Sequence, residues 1–165
     1  MSGVLTNLVR GKGSRKAPTP GDIFALQLPS GQYLFGRVIL VDPPRSNAPM
    51  PGSILIYIYR TQSTSKELEG LALTPDQLLI PPLWTNRQAW TRGYFSTLTN
   101  VPLRTDDLLL DHCFLAWDSY RTLKGERISA RTEPCGVWGL VSYRWIDDQV
   151  SDAVGIPRVP VLPGD

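Results

Sequence analysis

The chain has 165 residues, 42% of them hydrophobic, with 17 basic against 15 acidic side chains and a formal charge of +2. That length suits one ordinary domain with its own core, and that apolar content excludes wholesale disorder. The charge is uneven: Arg10, Lys12, Arg15 and Lys16 give the first sixteen residues four basic groups and no acid, so the remainder is slightly acidic, which is not the balance of a folded domain built to grip nucleic acid.

Gly3, Gly11, Gly13 and Ser14 space those basic residues, so residues 1–19 read as a flexible basic tail ahead of one β-rich domain over 20–156. Val4-Leu5 and Leu8-Val9 are too short for the apolar region of a signal peptide. No stretch approaches the ~20 apolar residues of a membrane span. The expectation is a cytoplasmic protein whose two cysteines, Cys113 and Cys135, are reduced.

From Asp22 to Leu28 side chains alternate between two apolar faces, Pro29-Ser30-Gly31 signals a turn, and the chain returns through residues 32–41. This predicts a hairpin, with Gly36 marking a bulge or a close backbone approach. Residues 53–60 predict another strand, with Ile54, Ile56 and Ile58 on one face and Leu55, Tyr57 and Tyr59 on the other. Prolines and glycines at 43–52 predict an exposed loop between them. Thr74-Pro75 fits the start of a helix of one or two turns that Pro81-Pro82 stops, with Leu78, Leu79 and Ile80 entering the core. Residues 93–99, 112–117, 126–130 and 137–144 predict further strands, with Thr105-Asp106-Asp107 capping a short turn. A helix follows, capped by Asp147, carrying Ile146, Val150, Ala153 and Val154 on one stripe and ended by Gly155 and Pro157. Residues 157–165 read as an extended tail.

Short turns rather than crossover helices join these strands. The predicted fold class is therefore mostly β (α+β): a curled antiparallel sheet or partly open β-barrel, with a short helical turn and a C-terminal helix packed on it. Strands apolar on both sides need cover on both sides, which a curled sheet under a helix and long loops supplies.

Little in the sequence points to catalysis. His112 is the sole histidine; a triad needs it near a nucleophile and an orienting acid. Its neighbours Asp111 and Cys113 point the other way on a strand, though Cys135 could come close in the fold. No CxxC, HExxH or spaced histidine pair offers a metal set, and no cofactor motif is present. Asp106-Asp107 and Asp147-Asp148 both sit at predicted helix starts, where acids offset the dipole. Most of the five tryptophans should be core, but Trp84 and Trp90 flank the polar stretch TNRQA. With Arg87, Arg92 and Tyr94 they form a candidate partner-binding surface of aromatics and arginines.

Three stretches carry a resemblance: GDIFALQLPSGQYLFGRVI at 21–39, AWTRGYFSTLTN at 89–100 and CGVWGLVSYRWIDDQVSDAVGI at 135–156. Together they resemble the immunity protein 26 family of bacterial polymorphic toxin systems. Gly21, Asp22, Phe35, Gly36, Trp90, Gly93, Tyr94 and Phe95 match family-like positions. The resemblance implies a non-enzyme that binds and neutralises a cognate toxin domain, with no catalytic residues, no cofactor and no membrane association. Two other readings stay open. One is a nucleic-acid-binding β-barrel using the basic tail and Tyr57, Tyr59 or Trp90 for stacking, although nucleic acid is not the expected partner. The other is a small cysteine-dependent enzyme pairing Cys113 or Cys135 with His112.

Overall fold

The computed structural model describes residues 5–44 and 47–161. Two consecutive apolar hairpins set its frame. Strands β1 (Asp22–Gln27) and β2 (Tyr33–Val41) pair antiparallel around the turn at 29–31, and β3 (Ile54–Ile58) pairs antiparallel with β2. Gly36 lies opposite Phe24, and a side chain there would strike the Phe24 ring and the Tyr57 carbonyl, so the expected close approach is present. Strands β4 (Leu83–Thr85) and β5 (Ser96–Asn100) flank these, with α1 (Gln88–Thr91) between them in sequence. A second sheet contains β6 (Cys113–Ala116), β7 (Ser119–Arg121), β8 (Arg127–Ile128) and β9 (Cys135–Val137). Strand β10 (Leu140–Val141) returns to the edge of the first sheet before α2 (Tyr143–Val154).

The six-stranded sheet runs β10-β4-β3-β2-β1-β5 and the four-stranded sheet β8-β7-β6-β9. The fold is mostly β, as expected, but neither sheet closes into a barrel and both are mixed: β10 pairs parallel with β4, and β9 pairs parallel with β6. These two pairings join strands separated by long connections, so no hairpin fixes them as antiparallel.

Both faces of the large sheet are core. On the first, Phe24, Leu26, Leu34, Val38 and the Ile54, Ile56, Ile58 row pack against Trp90 and Phe95 and against Ile146 and Val150 of α2. The Phe24 ring stacks on Phe95 at 4.5 Å and meets Trp90 edge-on at 5.3 Å. On the second, Leu55, Tyr57, Tyr59 and Trp84 pack against Phe114 of the small sheet, with Leu103, Leu108 and Trp138 beside them. Burying a large apolar side chain is worth about 1.5–3 kcal/mol each, which is why doubly apolar ribs are favoured only where two layers cover them.

The helix begins earlier than its acids suggest. Ser142 caps it, its hydroxyl accepting the Trp145 N–H at 3.2 Å, and Gly155 ends it in left-handed conformation at φ 78°. Residues 137–144, expected as one strand, are instead divided among β9, β10 and the first turn of α2. Asp147 is no cap: it lies on the buried stripe with Tyr143, Ile146, Val150 and Ser151. There its carboxylate accepts the backbone N–H groups of Leu8 at 2.8 Å and Asn7 at 3.1 Å. The Thr74-Pro75 start does hold a single 3-10 turn at Pro75–Gln77, without a side-chain cap bond.

The described part of the basic N-terminal segment makes contacts along the domain. Leu8 is buried in the first core, Val9 N–H donates to Gln27 O, and Ser14 N–H donates to Trp90 O. Gly11 N–H donates to Gly93 O at 2.8 Å, and Gly93, at φ 86°, has no room for a Cβ against the Gly11 carbonyl. Its anchors are backbone groups, the buried Leu8 and the side chains of Asn7 and Arg10, which donate to Ser151 Oγ and to Arg92 O. Met1–Val4 fall outside the described residues, as do 45–46 and 162–165. The described part of the 43–52 loop is exposed at Pro44 and at 50–52 and half-buried at Pro43, Asn47 and Pro49, with Ala48 turned into the second core. Beyond α2, Pro157 O accepts from Asn7 Nδ2 and Arg158 pairs with Asp152, so the start of the C-terminal tail is also held.

Candidate functional site

The polar chemistry of the interior gathers on the second face of the large sheet. Arg37 of β2 is buried, its Nη1 lying 3.0 Å from Asp107 Oδ1 and its Nη2 donating to Val101 O at 2.7 Å. The other oxygen of Asp107 accepts the Arg104 N–H at 2.7 Å, so this acid both holds the 3-10 turn at Thr105–Asp107 and neutralises Arg37. Tyr57, the cross-strand partner of Arg37, reaches His112 with its hydroxyl 2.6 Å from Nε2. The Leu109 N–H donates to the same hydroxyl at 3.2 Å, so the phenol joins the 101–112 connection to the imidazole. Burial pulls His112 from its ordinary 6.5 to about 4, with the Asp111 carboxylate opposing, and pushes Tyr57 up to about 12. Burial also raises Tyr59, whose hydroxyl has no hydrogen-bond partner among the described residues. The arrangement pins the 101–112 connection onto the sheet. Among the described residues it puts no nucleophile on His112, whose hydrogen-bond partner is a phenol and whose ring stacks between Tyr57 and Phe114.

The cysteines face each other instead. Cys113 Sγ and Cys135 Sγ are 2.9 Å apart, both buried and both free. Burial, then the Cys113 thiol, pushes Cys135 up to about 12, the reverse of an activated nucleophile. Among the described residues no group of three or more histidine, cysteine and acidic side chains could hold a metal ion. No helix among them is long and apolar enough to cross a membrane.

The five residues read as a partner-binding surface separate by burial. Trp84 sits in β4 within the second core, meeting Trp138 and Phe114 at 5.8 and 5.9 Å. Trp90 and Tyr94 are buried in the first core; α1 turns Trp90 inward, and Tyr94 stacks on Tyr143 at 5.0 Å. Arg87 and Arg92 are exposed, but both do intramolecular work: Arg87 Nη2 donates to Arg15 O at 2.6 Å, and the Arg92 guanidinium lies 5.2 Å from the Tyr143 ring centre. Arg15, Asn86, Arg87 and Gln88 line a wide, open depression beside α1. The aromatics considered for stacking bases, Tyr57, Tyr59 and Trp90, are all buried.

The surface feature that pattern reading missed is Trp117. It occupies the two-residue turn between β6 and β7, is 99% exposed, and has left-handed backbone at φ 58°. None of the aromatic contacts among the described residues involves it. A β-branched or aromatic residue in that backbone region carries strain that Gly or Asn avoids. The available signal was an apolar strand turning back through Trp-Asp where Asn-Gly is usual.

The first two motif stretches meet in space. Asp22 of the Gly-Asp pair accepts Thr19 N–H, Thr19 Oγ–H and the Asn100 Nδ2–H that ends AWTRGYFSTLTN, each at 2.9 Å. Phe24 and Phe95, one from each stretch, form the stacked pair of the first core. The buried acid ties β1 to β5, and the aromatic pair packs on Trp90 of α1. No curated protein and no solved structure matches the chain. The model described as immunity protein 26 matches residues 19–124, nearly two thirds of the chain, covering the first two stretches but not the third. By that match, and by the hydrogen-bonded and stacked core that the matched residues build, the chain belongs to the immunity protein 26 family.

Proposed function

We propose that this immunity protein binds the toxin domain encoded beside it and blocks it by occupancy, in the cytoplasm and without catalysing a reaction. Membership of the immunity protein 26 family carries the reading. The interior supports it: the sole histidine is spent on a phenol and the two thiols on each other, so the titratable groups serve the scaffold.

We assign the β6–β7 turn as the docking element. The indole stands fully in water, and the paired strands β6 and β7 fix the backbone of the two-residue turn that carries it. Tryptophan anchors of this kind dominate protein interfaces when a partner pocket closes over them, because the area is large and few torsions are frozen. Exposed Asp118 beside it supplies a polar rim. Arg87 and Arg92 are the competing choice. They lie by α1, which packs on the opposite face of the large sheet from β6, so the two alternatives are separable.

Growth of cells expressing the neighbouring toxin domain tests the function. Co-expression of this chain is expected to restore growth, and Trp117→Ala, folded as judged by an unchanged melting temperature, is expected to lose protection. Failure of the wild-type chain to protect would refute the function. Protection kept by Trp117→Ala and lost by Arg87→Ala/Arg92→Ala would move the docking face to α1.

A further inference from the structure

Cys113 and Cys135 are opposite each other on the parallel pair β6–β9, so their Cα atoms are direct ladder partners. Neighbouring strands run about 4.7–4.9 Å apart, inside the ~4.4–6.8 Å Cα separation that a disulfide spans. Both side chains project to the same side, with the sulfurs in contact and only 2% and 7% of the two residues exposed. The strands on either side are fixed. Phe114 pairs with Gly136 and Leu115 with Val137, and Gly136 is pressed so closely on the Pro82 carbonyl that no side chain fits there. Bonding the sulfurs therefore asks for side-chain adjustment and no strand movement.

We propose that Cys113 and Cys135 form a dithiol that closes to an intramolecular disulfide by exchange with a small-molecule disulfide such as oxidised glutathione. Cys135 is the entry point. It lines a pocket of about 160 Å³ between β4, β9, β10 and α2, together with Pro82, Val137, Val141 and Trp145. Its thiolate attacks one sulfur of the reagent, releasing one thiol and leaving a mixed disulfide. The Cys113 thiolate then attacks the Cys135 sulfur and releases the second thiol. Two cysteine thiols are oxidised, one reagent disulfide is reduced to two thiols, and the two cysteine protons end on those thiols. Burial, which holds the Cys135 thiol high, makes the exchange slow at neutral pH and faster as pH rises.

The bond staples the ends of residues 113–135, a segment that holds β7, the two-residue strand β8 and the Trp117 turn. Cross-linking a loop of that length removes entropy from the unfolded chain.

The test uses the full chain, incubated at pH 8 with oxidised glutathione or with a reductant. Thiols are counted after unfolding in guanidinium, alongside intact mass. Both thiols should disappear together, the mass should fall by two hydrogens, and the melting temperature should rise by roughly 5–15 °C and return on reduction. Protease fragments of the oxidised chain should contain one cross-linked pair holding residues 113 and 135. In Cys113→Ser, a glutathione adduct should be trapped on Cys135. Retained glutathione on the unaltered chain, covalent dimers, or two free thiols after prolonged exposure would each overturn the proposal. The fragment cross-link decides even if Cys113→Ser does not fold.

Discussion

The two faces of the large sheet are buried to the same degree by different means. The first is sealed by hydrocarbon and aromatic rings, Phe24, Trp90 and Phe95 against Ile146 and Val150. The second mixes Trp84 and Phe114 with an ion pair, a phenol and an imidazole that hold down the 101–112 connection. A purely apolar layer gains from burial without regard to pH. A polar layer gains only while each group keeps the protonation state its partner requires. The ring packing of the first face therefore responds to truncation, and the His112 cluster of the second responds to acid.

Truncation on the first face should have the largest effect. Trp90→Ala removes a ring that touches both Phe24 and Phe95, and is expected to cost about 3–5 kcal/mol in urea unfolding, equally at pH 7 and pH 5. A cost that changed markedly with pH would show that the two faces are not independent.

Acid should act on the second face. Unfolded, the His112 imidazole takes its proton near pH 6.5; folded, it does so only near pH 4. Between these values the unfolded chain alone binds the proton. The stability that comes from keeping the ring neutral is thus complete above about pH 6.5 and is lost as pH falls to about 4, up to roughly 3 kcal/mol in all. His112→Gln should flatten that decline in denaturation curves measured from pH 7 to 4. An unchanged slope would place the acid sensitivity elsewhere.

A smaller effect belongs to the seam between the N-terminal segment and α2. Asp147→Asn can accept only one of the N–H groups of Asn7 and Leu8, and should cost about 1–3 kcal/mol. Hydrogen exchange should show residues 5–16 loosened while β1–β3 stay protected. Equal loosening of both would mean that the segment and the sheet open as one unit.

How much of this the sequence disclosed follows from the range of each signal. The β1–β2 hairpin and β3 announce themselves because alternation is a local property and both faces are apolar. Gly155 announces the end of α2 for the same reason. The start of α2 does not: Ser142 lies in a run that also alternates, and Asp147-Asp148 imitates a cap while Asp147 serves a segment 139 residues earlier. Strand β4 hides behind Pro81-Pro82 and is only three residues long. The N-terminal segment docks largely through backbone groups, which leave no mark in composition. At the candidate site, polar neighbours made Trp84 and Trp90 look exposed, although a strand and a helical turn rotate them inward. Trp117, taken as the end of a strand, proved to be the tip of a turn. Its exposure depends on a two-residue connection that no periodicity reveals.

The central claim is that this chain acts by presenting a preset surface, led by Trp117, to a toxin domain. Calorimetric titration of a catalytically silenced form of the neighbouring toxin domain into the purified chain tests it most directly. The account predicts one-to-one binding that Trp117→Ala weakens by at least about 30-fold while leaving the melting temperature unchanged. No heat of binding to the wild-type chain, or equal affinity with and without the indole, would contradict it.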